Sequence, residues 1–225
     1  KALSNALEGD LFFDKMMKTL YATDASSYRE MPLAVAIPKT KEDISLLIQF
    51  ATDHRSSLIP RTAGTSLAGQ VVGNGIIVDV SKHFNQILEL NTAESWVRVQ
   101  PGVIRDELNL FLKPHGLFFG PETSTANRAM MGGMVGNNSC GSNSVVYRST
   151  REHLLEVTAF LTDGSEVVFN SVSTDDFHAK CVLNTLEGSI YKSVRSILSN
   201  YDNQVEIRKE FPKKSVERRN TGYAI

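Results

Sequence analysis

Cysteine is scarce in this sequence. Only Cys140 and Cys181 occur among 225 residues, well separated, with no second pair to complete a zinc or iron–sulfur ligand set. That excludes a disulfide framework and suits reduced thiols. Charge of one sign is also missing: 24 basic against 25 acidic residues leave a net charge of −1, which argues against a nucleic-acid or acidic-membrane surface. No apolar run approaches the length needed to cross a bilayer, and no signal peptide opens the chain. The five histidines, His54, His83, His115, His153 and His178, lack metal-ligand spacing, so no metal site is expected. No Ser/His/Asp arrangement can be drawn from spacing either, and a catalytic residue cannot be named. The chain begins at Lys1 and ends on Tyr223-Ala224-Ile225, and it is expected to be a piece of something longer.

What remains is ordinary globular composition, 41% hydrophobic and 22% charged, with the pattern of an α+β fold. Leu7, Leu11, Phe12, Met16 and Leu20 have helical spacing and predict a helix over 7–21. The polar residues 23–29 read as a connecting arm. A strand over 33–37 closes at Pro38, and Thr40 with Asp43 forms a capping-box signal for a helix burying Ile44, Leu47, Ile48 and Ala51. Strands over 57–60 and 76–80 follow, which makes a parallel strand–helix–strand crossover. Antiparallel hairpins are expected at 87–90 with 96–99, and at 154–161 with 167–169 about Asp163-Gly164. A helix over 103–113 lies between them, and 175–211 is mostly helical.

Two stretches rich in small residues stand out. The first is Pro60-Arg61-Thr62-Ala63-Gly64-Thr65-Ser66-Leu67-Ala68-Gly69-Gln70, set between two strands. Gly64 and Gly69 can take positive φ, small side chains let backbone N–H groups approach an anion, and Thr65, Ser66 and Arg61 add donors and charge. A plain surface loop is the competing reading. No Gly-Lys-[Ser/Thr] follows, and the next element is a strand, so the loop is neither a Walker nor a Rossmann motif. The second stretch holds Pro121, Thr123 and Ser124, then Gly132-Gly133-Met134-Val135-Gly136-Asn137-Asn138-Ser139-Cys140-Gly141-Ser142. Glycines beside methionines suggest a packed turn or short helix against something flat and partly apolar. Together the stretches suit a diphosphate joined to a planar ring system, as in FAD.

The same residues carry a resemblance. Pro60 to Gln70 resembles the pyrophosphate loop of the p-cresol-methylhydroxylase/vanillyl-alcohol-oxidase-type flavoproteins, in their glycolate oxidase/D-lactate dehydrogenase branch. Pro121-Glu122-Thr123-Ser124 and Gly132 to Ser142 resemble that branch's second flavin motif. Tyr21-Ala22-Thr23-Asp24-Ala25-Ser26 and Leu161-Thr162-Asp163-Gly164 match too, so the likeness covers most of 20–170. Thr62 and Ala63 stand where the family has glycines, and Arg148 where it commonly has Gly. Thr65 occupies the position of the histidine that binds flavin covalently in some members, which implies non-covalent FAD.

The resemblance implies a two-lobed PCMH-type fold: an N-terminal helix and arm over 1–30, then an FAD-binding domain over 31–225 with lobes at 31–85 and 86–225. It implies FAD bound by the named residues of both stretches and hydride transfer from a 2-hydroxy acid of the D-lactate/glycolate class. The electron acceptor is open. Residues 180–223 resemble an insertion of large relatives that also carry an iron–sulfur cluster in a later region, and those relatives supply a further flavin segment and a substrate cap. The 225 residues alone are therefore expected to be inert. A non-catalytic flavin or electron-transfer module, or a cell-wall precursor reductase, is the alternative. The expected location is cytoplasmic, with attachment to the inner membrane face as a variant.

Overall fold

The computed structural model describes residues 2–213 and 215–216. The chain divides into two compact units that part between Glu152 and His153.

The first unit opens with α1 (Ala2–Ala6), β1 (Asp10–Phe12) and α2 (Lys15–Leu20). The expected helix over 7–21 is thus interrupted. A side chain at Gly9 would collide with the Ile37 carbonyl, and β1 pairs antiparallel with β2 (Ala34–Ile37) instead of coiling. The apolar spacing misleads because it has no common face to bury: Leu7 is buried, whereas Met16 and Leu20 are 70% and 62% exposed.

α3 (Lys41–Asp53) starts at Thr40 with the expected capping box, Asp43 answering Thr40. Asp43 does more than cap. Its carboxylate accepts the backbone N–H of Glu8 at 2.8 Å, Gly9 at 3.0 Å and Lys39 at 2.8 Å, fastening the N-terminal segment to the helix. β3 (Leu58–Arg61) and β4 (Ile76–Asp79) complete a sheet of order β1-β2-β4-β3, with β4 parallel to both neighbours. The crossover is therefore parallel as expected, with β4 inserted between β2 and β3. β2 and β4 are buried at every position, the mark of inner parallel strands covered on both faces. Leu7, Ala34, Ala36, Leu47, Ile76 and Val78 form the core between sheet and helix.

The antiparallel hairpin β5 (Ile87–Asn91) and β6 (Trp96–Val99) follows, then α4 (Arg105–Leu112), which passes through a 3₁₀ turn at Lys113–His115 and stops on left-handed Gly116. α5 (Met131–Gly136) and α6 (Ser144–Tyr147) lie in the second small-residue stretch. Val103, Leu108, Leu112, Ala129, Met131 and Met134 make the second core cluster.

The second unit contains the hairpin β7 (Glu156–Phe160) and β8 (Glu166–Asn170), turning at Gly164 with φ 83°, while Asp163 Oδ1 accepts the Ser165 N–H at 3.0 Å. α7 (Thr174–Cys181), α8 (Leu186–Ser199) and α9 (Tyr201–Glu210) are N-capped by Ser173, Thr185 and Asn200. Phe169 and Phe177 pack on Tyr191, and Lys180 bridges to Glu187 at 2.6 Å. The architecture is α+β, with a mixed sheet that has a parallel centre and one antiparallel edge strand, and with antiparallel hairpins.

Candidate functional site

β3 ends at Pro60 and Arg61, and the chain leaves the sheet there as a loop running to Gln70. Gly64 and Gly69 take φ of 65° and 72°, the left-handed conformation that glycine adopts without a Cβ penalty. Ser66 Oγ receives the Gln70 N–H at 3.2 Å and ties the loop's second half. Among the described residues, no acceptor takes the backbone N–H of Ala63, Gly64, Thr65, Ser66 or Leu67. Five consecutive amides left open in a loop that turns through positive φ are the makings of an anion-binding concavity.

Arg61 does not stand alone at the rim. Its Nη1 donates to the Thr23 carbonyl at 2.9 Å, and its guanidinium carbon lies 5.1 Å from the centroid of the Tyr21 ring. Tyr21 in turn donates its phenol to Asp79 Oδ2 at 2.6 Å, at the end of β4. Burial, reinforced by the Asp79 carboxylate, pushes the Tyr21 phenol far above its ordinary range against the opposing pull of Arg61, so it remains a donor. The Ala25 N–H reaches the Gly64 carbonyl at 3.1 Å. Burial alone would raise the Asp24 carboxyl, but hydrogen bonding led by Ser26, whose N–H lies 2.8 Å from Oδ1, holds it below the usual carboxylate range. The polar arm over 23–29 is thus packed onto the loop.

In the second stretch, Pro121 is fully buried and its carbonyl accepts from Arg105 Nε at 3.1 Å. Glu122 receives the Ser142 hydroxyl at 2.8 Å and Asn143 Nδ2 at 2.7 Å. The Ser142 hydroxyl and the Asn143 amide, with Arg105 nearby, keep the Glu122 carboxyl below the usual range. Gly141 must lack a side chain, since a Cβ there would lie 2.6 Å from the Glu122 carbonyl oxygen. Thr123 pairs its hydroxyl with that of Thr125 at 3.2 Å, and Ser124 is exposed. Met131 and Met134 of α5 face the core. Asn138 adopts φ 46° and its side chain accepts the Arg151 N–H at 2.9 Å.

The two stretches meet. Gln70 Nε2 donates to Asn137 Oδ1 at 3.1 Å across 67 positions of sequence, and a Cβ on Gly133 would lie 2.9 Å from Thr62 Oγ1. Gly132 is pressed on Pro101, donating its N–H to that carbonyl at 2.8 Å. Among the described residues, no hydrogen bond links Thr123, Ser124, Gly136 or Ser142 to the first stretch. Sequence reasoning names neither Tyr21 and Asp79 as a pair nor Glu122 as the clamp of Ser142. The Pro-Glu-Thr-Ser motif contains the only local signal, an acid beside residues singled out already.

Residues 32–170 match the family model described as FAD binding domain, which is more than half of the chain. The chain belongs to the FAD binding domain family. The whole chain aligns with D-2-hydroxyglutarate dehydrogenase of Pseudomonas putida at 39% identity, covering 22% of that protein. It is 31% identical to the mitochondrial D-lactate dehydrogenase (cytochrome) of Kluyveromyces lactis over 68% of this chain and 27% of that one. This FAD binding domain thus spans about a quarter or less of these curated relatives. BBE-like 1 of Physcomitrella patens shares its fold, with a TM-score of 0.67 at 18% identity over 79% of this chain and 39% of that one. Both small-residue stretches fall inside the matched FAD binding domain. Among the described residues, no helix is long and apolar enough to cross a membrane.

Proposed function

We propose that this chain is the FAD-holding part of a flavin-dependent dehydrogenase that oxidises a 2-hydroxy acid of the D-2-hydroxyglutarate, D-lactate and glycolate class, in the cytoplasm. The observation that carries the reading is the meeting of the two stretches at Gln70–Asn137 and Thr62–Gly133, beside five open amides. The residues present fit the cofactor. The amides of Ala63 to Leu67 supply donors for a diphosphate without a competing carboxylate of their own; Gly133 keeps the facing wall thin, and Gly132 seats that wall on Pro101. The loop from Pro60 to Gln70 would border the diphosphate, which its amides from Ala63 to Leu67 would hold, with Pro60, Arg61, Thr62, Gly69 and Gln70 shaping the loop around them. Pro121, Thr123, Ser124, Gly136, Asn137, Asn138, Gly141 and Ser142 would border the remainder of FAD.

Bound flavin supplies a hydride acceptor, the chemistry needed to oxidise a secondary alcohol beside a carboxylate. The chain's own contribution is binding and orientation. The Gln70–Asn137 bond fixes the distance between the two walls, and Glu122 pins Ser142 and Asn143 at the second wall. Thr65 has a hydroxyl and no imidazole, so the cofactor is held without a covalent bond.

Titration of the purified 225-residue chain with FAD should shift the flavin absorption bands and saturate at one equivalent, and acid precipitation should leave all flavin in the supernatant. Absence of binding would overturn the cofactor assignment, and flavin in the pellet would overturn the non-covalent one. The substrate class is read on the full-length protein that contains this chain. Anaerobic mixing with D-2-hydroxyglutarate, D-lactate or glycolate should bleach bound flavin, and no bleaching by any of them would leave a binding module without this activity.

A further inference from the structure

Three points of the candidate diphosphate loop, Arg61, Gly64 and Gly69, each touch the segment from Tyr21 to Tyr28. Arg61 donates to the carbonyls of Thr23 at 2.9 Å and Tyr21 at 3.4 Å, and the Gly64 carbonyl receives the Ala25 N–H. The Tyr28 ring lies against Gly69, where a Cβ would come within 2.9 Å of it. A Cβ on Gly64 would sit 2.5 Å from Arg61 Nη2, so this glycine gives room to the arginine. Arg61 and Asp79 are direct partners in the β3–β4 register. Yet Tyr21 comes between their charges, its ring under the guanidinium and its phenol on the carboxylate. The cation is thus engaged by backbone carbonyls and a ring, and the segment is stitched to the ends of two adjacent strands.

We infer that Arg61 is a positioning residue: it clamps the Tyr21–Tyr28 segment as a strap across the loop, so that the amides of Ala63 to Leu67 keep the spacing an anion needs. This rests on the FAD reading above. The strap works by geometry: Nη1 alone reaches both carbonyls while the flat guanidinium lies over the Tyr21 ring, and an ammonium group, a compact point charge, does not reproduce that planar ring contact together with the carbonyl bonds. A residue that served chiefly to neutralise phosphate would be replaced well by lysine and would leave a salt signature.

The test compares the wild-type chain with Arg61→Lys, Arg61→Ala and Tyr21→Phe, reading FAD affinity at low and high salt and amide exchange in the absence of FAD. Tyr21→Phe changes no charge and no volume of consequence. Loss of a strap bond should weaken FAD about tenfold, the scale of one charge-assisted hydrogen bond. The expected pattern is that Arg61→Lys and Tyr21→Phe both weaken FAD with the wild-type salt dependence. The same two variants should speed exchange at Ala25, Gln70 and Val72, whose N–H groups bond to Gly64, Ser66 and Gly69. Exchange in β2 and β4 should stay at the wild-type rate. Full rescue by lysine, a salt dependence lost in Arg61→Ala, or unchanged exchange at those three amides would overturn the strap. If the wild-type chain takes no FAD, the cofactor assignment fails, and the exchange rates still decide whether the strap exists.

Discussion

Arg148 occupies a conformation meant for glycine. Its φ of 58° and ψ of −146° lie in a region that residues with a Cβ enter only under strain, at a cost of about 1–3 kcal/mol. The cap bond from its N–H to the Ser144 carbonyl, 2.8 Å, and the buried Ser149 and Thr150 that follow hold it there. Arg148→Gly should relieve that strain, less the extra freedom glycine gives the unfolded chain, for a net gain of about 1 kcal/mol. A rise in the urea midpoint with an unchanged slope checks it. Gly64 shows the opposite case, a glycine needed both for its φ and for the guanidinium beside it. Its conformational role is legible from the loop's composition. The arginine that requires it is not, because Arg61 folds back onto carbonyls 38 and 40 positions away, and no local pattern records that.

Asp43 joins elements that sequence alone keeps apart. The capping box is a local signal read directly from Thr40 and Asp43, whereas the bonds to Glu8 and Gly9 depend on β1 pairing with β2. Burial acts to raise this carboxyl, but the amides of Lys39, Glu8, Gly9 and Thr40 outweigh it and hold it below the ordinary value. A depressed carboxyl contributes stability that is complete above its unfolded-state pKa and is lost as pH falls through the lower folded one. The wild-type chain should therefore lose this contribution only in acid below about pH 4. Asp43→Asn should cost about 2–4 kcal/mol at neutral pH, since an amide cannot accept from this many N–H groups as a carboxylate does, and it should flatten the acid slope. Urea titrations across pH measure both. The hairpins, by contrast, follow from their turns and alternation. The order β1-β2-β4-β3 does not, because which strand inserts between two others is decided by tertiary packing of equally apolar runs.

At the scale of the molecule, every residue of the candidate FAD site lies in the unit before His153. Ligand that binds only the folded form stabilises it by mass action, about 2.7 kcal/mol at a hundredfold excess over Kd. FAD at that excess should raise the unfolding free energy of that unit by this amount and its midpoint with it, and a midpoint indifferent to FAD would contradict the site's placement. The chain carries its own means of reading the result. Its single tryptophan, Trp96, sits in β6 of the first unit with its indole N–H on Glu94 at 2.8 Å. Cys181 is buried at the end of α7 in the second unit. Emission from the indole follows one unit, while, after the half-buried Cys140 of the first unit has reacted, the slower phase in which a thiol reagent reaches buried Cys181 clocks the opening of the other. A single unmodified sample therefore reports two stabilities in two separate colours, one of light and one of chemistry.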